Sequence, residues 1–267
     1  SAPHSHIKPL AGHQRDHRAP DFSPASACAP TRYRRDCQGG IAGSCALCNW
    51  RVVLGAPINY IPLDMETLVA PAAKGRPREF CVDEALAAAL RVFWSKGYEG
   101  ASLNDLTEAM GITRPSLYAA FGNKEALFRK ALDLYQEEKL CYIGASLEQP
   151  TARQVARHLL NGSMENQTSK SEPHGCLGVI SSVACGAEAE CIRQEVLERG
   201  KVAGVALVER LERAKTEGDL PPSADVEGLT SFLYAIIQGM AVQAGAGATR
   251  ADLERLIDTS MAMWPAK

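Results

Sequence analysis

Residues 111–127 read GITRPSLYAAFGNKEAL, and the spacing of this stretch decides the fold. Gly111 stands where a left-handed residue permits a sharp turn. Thr113 can cap a helix, and Pro115 fits that helix's first turn, where a missing N–H costs nothing. Leu117 and Phe121, four apart, give the helix a buried side, with Ile112 packed in just before it. Gly122 ends the helix, and Asn123 caps the next one, whose apolar positions are Leu127, Ala131 and Leu134.

Upstream, Asp83 is placed to cap a helix carrying Leu86, Ala89, Leu90, Phe93 and Trp94 at spacings of three and four. Gly97 is its expected stop, and residues 98–101 form a connector. Ser102-Leu-Asn-Asp105 has the form of a capping box with Asp in place of Glu. Leu103, Leu106 and Met110 then line a second, short helix. Two short helices joined by a tight glycine turn, braced by longer ones before and after, make a helix-turn-helix.

That motif predicts an interface with double-stranded DNA. The head of the third helix presents Thr113, Arg114 and Ser116, short or hydrogen-bonding side chains suited to base edges, with Pro115 shaping the turn. Tyr118, and Lys124 at the start of the next helix, suit phosphates. Ser102, at the head of the second helix, is counted with them. Residues 111–130 hold Arg114, Lys124, Arg129 and Lys130 against Glu125 alone, and Lys74, Arg76 and Arg78 form a second basic cluster ahead of the first helix. The chain's formal net charge is −2, but DNA binding requires only a local basic face.

The run SLNDLTEAMGITRPSLYAAFGNKEALF, within residues 75–136, resembles the N-terminal domain of TetR-type transcriptional repressors. The shared pattern is a capped helix, a glycine turn, Leu-Tyr towards the end of the recognition helix, Phe, and then Lys-Glu and Leu. Where that family often carries an aromatic residue or His, Ala120 stands here, which removes one backbone contact. The resemblance implies an all-α protein: a three-helix helix-turn-helix domain followed by a helical ligand-binding and dimerisation domain. It also implies that the last two helices pair with their copies in a four-helix bundle. The expected partners are operator DNA, a second copy of the chain and an unidentified small-molecule or metal effector. No cofactor is implied.

The rest of the chain is compatible with this. Of its 267 residues 46% are hydrophobic and 22% charged, and no apolar run approaches ~20 residues, so no membrane span is expected. The N-terminus lacks a basic segment leading into an apolar one, so no secretory signal is expected either. Nine cysteines form an odd count that suits reduced thiols and a cytoplasmic location better than a disulfide framework. Residues 1–64 carry seven Lys or Arg against four acids and lack an apolar period. They read as a disordered extension upstream of a natural start at Met65, the first methionine, with 65–80 as a basic arm, 81–142 as the DNA-binding domain and 143–267 as the effector domain. The pairs His13/His17 and Cys45/Cys48 have zinc half-site spacing, but no strand or helix pattern supports a zinc module there.

In the second half, Val155, Leu159 and Met164 mark a helix, NQTSKSEPHG a polar loop, and CLGVISSVACG a helix buried in the domain's middle. Ile192, Val196, Ala203, Leu207, Leu211 and Ala214 form a longer helical stripe ending at Glu217-Gly-Asp-Leu-Pro-Pro222. Leu229, Phe232, Leu233, Ile236 and Met240, followed by Leu253, Leu256 and Ile257, are the expected dimer face, since two terminal apolar helices are costly to leave in water. His174, Cys176, Cys185 and Cys191 are effector or redox candidates. Cysteine as a small buried hydrophobe is the plain alternative; the sharper one is a Cys176 thiolate open to an electrophile, an oxidant or a soft metal such as Cu(I). There is no phosphate loop, Ser-x-x-Lys, nucleophile elbow or His-Glu-x-x-His, so no enzyme is expected. The remaining alternative is a helical adaptor that binds protein and not DNA.

Overall fold

The computed structural model of the chain describes residues 80–183 and 189–265. The readings of residues 1–64, of Lys74, Arg76 and Arg78, and of Cys185 lie outside the described residues. Within them all regular structure is helical: α1 (Val82–Gly100), α2 (Leu103–Met110), α3 (Arg114–Phe121), α4 (Lys124–Lys139), α5 (Cys141–Leu147), α6 (Ala152–Gln167), α7 (Leu177–Val183), α8 (Glu190–Thr216), α9 (Val226–Gly245) and α10 (Arg250–Ala262).

The expected caps form at α2, α3 and α4. Ser102 accepts from the Asp105 N–H while Asp105 accepts from the Ser102 N–H, a full capping box. The hydroxyl of Thr113 accepts from Ser116, and the amide oxygen of Asn123 from Ala126. Gly111 adopts φ 64 at the end of α2, a left-handed conformation that an L side chain would strain. The start of α1 differs from expectation. Its cap position is Cys81, without a side-chain hydrogen bond, and Asp83 lies inside the first turn, where its negative charge complements the positive end of the helix dipole. Gly97 breaks the helical path at φ 71, and the helix resumes to Gly100.

Two cores result. In the first, Phe93 meets Phe128 edge-on at 5.0 Å and Trp94 meets Tyr135 at 4.8 Å, locking α1 against α4. Leu106, Leu117 and Leu127 fill the space below them, all fully buried. Removing one such ring costs about 3–5 kcal/mol, because the cavity left behind collapses only partly. Leu177 of α7 and Ile192 and Val196 of α8 join this same core, so the helix-turn-helix is completed by residues from the second half of the chain. The second core joins α6, the later part of α8, α9 and α10.

Two expectations change here. Among the described residues the CLGVISSVACG stretch forms α7, in which Leu177 and Ser181 are buried while Val183 is 79% exposed. Leu233, Met240, Leu253 and Ile257, expected at a dimer face, are fully buried in the chain's own second core and so present nothing to a partner. Their stripe faces α6, which consumes it. Of the expected face, Leu229, Phe232, Ile236 and Leu256 remain half-buried.

Arg210 ties α8 to the connection between α5 and α6. Only 6% exposed, it donates to the carbonyls of Leu147, Gln149 and Pro150, where its charge complements the negative end of α5.

Candidate nucleic-acid interface

The head of α3 projects from the first core because its buried side, Leu117 and Phe121, points inward. Thr113, Arg114 and Pro115 are exposed and Ser116 is half-buried. Tyr118 is 49% exposed, too open for a packing residue of its size. Thr113 and Ser116 share a hydroxyl–hydroxyl hydrogen bond of 3.0 Å, and Ser102 donates its hydroxyl to Asp105 at 2.8 Å. Both caps therefore use part of the polar capacity expected to face DNA. Arg114 donates from Nη2 to Oδ1 of Asn104 at 2.7 Å, across the turn between the two short helices.

Lys124 occupies the first position of α4, with its Nζ 4.6 Å from the centroid of the Tyr98 ring. Burial pushes its ammonium below the ordinary lysine value, while Glu99 pulls it back up. A cation lodged over a ring, beside the free N–H groups of a helix start, is suited to a phosphate. Arg129 behaves differently from its expected place in the basic face. It pairs with Glu125 on its own helix and with Glu195 of α8 at 2.6 Å, so its charge links the two halves of the chain. Arg199 extends that link to Asp133 and Glu195.

The α6–α7 loop is pinned to the same body. Glu172 accepts from Arg91 at 3.1 Å and Lys139 at 2.8 Å. The Tyr135 hydroxyl donates to the sulfur of Cys176 at 3.5 Å and accepts from Asn166 at 3.2 Å. Burial holds Tyr135 protonated by raising its hydroxyl well above the ordinary value, with the Cys176 sulfur adding to that rise. Of the four effector candidates, Cys176 is half-buried, His174 and Cys191 are exposed, and Cys185 is outside the described residues. Cys191 contacts Glu125 at 3.8 Å. Glu125 and Tyr135 are ten residues apart on α4, roughly 15 Å along the helix, so Cys176 and Cys191 do not converge. Among the described residues no three His, Cys, Asp or Glu side chains are grouped to hold a metal ion.

Between α5, α6, α8 and α9 lies an apolar cavity of about 50 Å³, lined by residues including Tyr142, Leu147, Leu159, Leu207, Tyr234 and Ile237. Burial pushes the Tyr234 hydroxyl up to about 12 and Tyr142 higher still. Among the described residues no helix is long and apolar enough to cross a membrane.

Asn104, Tyr98 and Glu172 were not singled out by the sequence. Asn104 looks like an ordinary second residue of a capped helix, and Tyr98 sits in a connector; only the fold brings them to Arg114 and Lys124.

The chain is similar to known proteins in both of its halves. Residues 85–131 match the family model for bacterial regulatory proteins of the tetR family, and residues 153–260 match the tetracyclin repressor-like C-terminal domain. The HTH-type transcriptional repressor ComR of Escherichia coli is 34% identical over 195 residues, covering 72% of this chain and 93% of ComR. The repressor AcnR of Corynebacterium diphtheriae is 27% identical over 176 residues, 66% of this chain and 86% of AcnR. Among solved structures, a cysteine-substituted form of the TetR family regulator CifR, complexed with 26-base-pair double-strand operator DNA, superposes with a TM-score of 0.68. It is 39% identical and covers 71% of this chain and all of that one.

Proposed function

The chain belongs to the TetR family of bacterial regulatory proteins, and from that premise we propose that it represses transcription in the cytoplasm as a homodimer. Each copy sets the head of α3 into one half-site of a pseudopalindromic operator. The observation that carries this reading is the projecting α3 head, where Arg114, Pro115 and Tyr118 are open to solvent beside the cationic start of α4. The repressor names of ComR and AcnR, and the operator DNA in the CifR complex, support it. The exposed side of α9, where Ser231, Ala235, Gln238 and Val242 recur at spacings of four and three, is small enough to admit a second α9. A gel-shift on DNA upstream of the protein's own reading frame tests this reading, with unrelated DNA as competitor. A retarded band that unrelated DNA removes as readily as the fragment itself would favour an adaptor or a non-specific binder.

The effector domain releases the DNA through Cys176. This sulfur accepts from Tyr135 of α4, so a thiol-reactive agent or soft metal ion arriving there severs a contact to the helix-turn-helix core. Cys176→Ser should keep operator binding and lose induction by such agents. Unchanged induction in the Ser variant would assign the effector to an ordinary ligand of the apolar cavity.

A further inference from the structure

We infer that Asn104 is the residue that aims Arg114 at its base, so that operator specificity is set by a pair spanning both short helices. The inference rests on the reading of Arg114 as a base contact. Arg114 opens α3, and its Nη2 reaches back to Oδ1 of Asn104, the second residue of α2, at 2.7 Å. Both side chains are exposed, so the bond is not forced by packing.

The anchor itself is rigid. α2 is held at its head by the reciprocal Ser102–Asp105 cap, and Lys96 of α1 pairs with Asp105 at 2.7 Å. Downstream, the turn carrying Gly111 closes with Ile112 N donating to Thr107 O at 3.1 Å. Asn104 therefore sits on a fixed post while Arg114 starts the helix that enters the groove.

A guanidinium has five N–H donors in one plane and no acceptor. Asn104 takes one of them, and among the described residues no carboxylate forms an ion pair with Arg114. The remaining donors are free to form the two parallel bonds that O6 and N7 of a guanine accept. An unrestrained arginine would lose several rotatable bonds on docking and could settle equally on a phosphate. One held in place from α2 has already lost that freedom and points one way. Asn104 is thus a positioning residue, acting on DNA through Arg114.

The test uses the full chain, the upstream fragment that shows specific retardation, and a panel of that fragment with each base pair replaced in turn. Arg114→Ala should weaken binding and flatten discrimination at one position in each half-site. Asn104→Ala should flatten the same position, with roughly two- to tenfold weaker binding and an unchanged thermal midpoint. In the Arg114→Ala background the Asn104→Ala change should have no further effect. Asn104→Asp keeps the acceptor and should preserve the base preference, although its negative charge lowers affinity for all sequences. If Asn104→Ala leaves the panel unchanged while Arg114→Ala flattens one position, the positioning role is overturned and the base contact stands. Equal losses from Asn104→Ala in both backgrounds would also overturn it, by giving Asn104 its own DNA contact. No flattening by Arg114→Ala would remove the base contact itself, and the positioning role with it.

Discussion

The indole Nε1 of Trp94 donates to the carbonyl oxygen of Gly175 at 3.2 Å, fastening the α6–α7 loop onto the buried face of α1. Gly175 has φ 88, and a Cβ placed there would lie 3.1 Å from the carbonyl oxygen of Ala241 in α9. The loop is therefore wedged between the helix-turn-helix core and the last third of the chain. Cys176 is the next residue, with its sulfur on Tyr135 of α4. A displacement of α9 or a group added to Cys176 would press on the same two helices, α1 and α4.

Gly175→Ala should lower the unfolding free energy by about 1–3 kcal/mol, since the new side chain meets both a left-handed backbone and the Ala241 carbonyl. Trp94→Phe keeps most of the ring but leaves the Gly175 carbonyl without its donor, an expected loss of about 1–3 kcal/mol. Urea denaturation reads both. A Gly175→Ala protein as stable as the parent would show that the loop is not wedged.

The helix-turn-helix could be read from the sequence because its signals are local. Gly111 closes onto Thr107 and Glu108 just before it, Thr113 and Asn123 each cap the third residue ahead, and the structure shows those turns and caps as expected. The start of α1 was misplaced because Asp83 is acidic and followed by apolar spacing, which marks a first turn as well as a cap. Apolarity did not distinguish core from interface in α9 and α10. Leu233 and Leu253 carry the same side chain as Leu229, and only the position of α6 decides which are covered. The Asn104–Arg114 bond and the Arg129–Glu195 link were invisible for the same reason, since each joins residues brought together by the fold.

Asp105 gives the helix-turn-helix a defined acid limit. Hydrogen bonds from Lys96, and from the backbone and hydroxyl of Ser102, hold its carboxyl at about 2, below the ordinary 3.8. A carboxyl depressed in the folded state adds stability that is complete above its unfolded value and is lost as pH falls through the folded value. The urea midpoint of Asp105→Asn should therefore lie below that of the parent at neutral pH, by an amount constant down to about pH 5. The two should converge between about pH 4 and pH 2. A gap that persists undiminished at the acid end would mean that the charge of Asp105 is not what stabilises the cap.

Lys124 is expected to contact phosphate, and its lodging over Tyr98 sharpens the test. Lys124→Ala should weaken binding to specific and unrelated DNA alike and reduce the slope of log affinity against log salt by about one. Tyr98→Leu removes the ring but not the charge, so it should weaken binding less and leave that slope unchanged. A shift in base preference with an intact slope in Lys124→Ala would place the ammonium on a base.

The dimer prediction now turns on which apolar residues are free. Val242 on α9 is 62% exposed, whereas Leu253 on α10 is fully buried against the second core. A glutamate at Val242 meets solvent in a lone chain but a like charge and an apolar surface in a pair of α9 helices. Val242→Glu should therefore stay folded, elute as a monomer and bind the operator far more weakly, because two half-sites are no longer engaged together. Leu253→Glu should fail differently, losing the fold itself, since an unpaired carboxylate in the core has no partner to offset its lost hydration. Sedimentation and circular dichroism on the two variants separate the cases. A Val242→Glu protein that remains a dimer with normal operator affinity would move the interface off this side of α9.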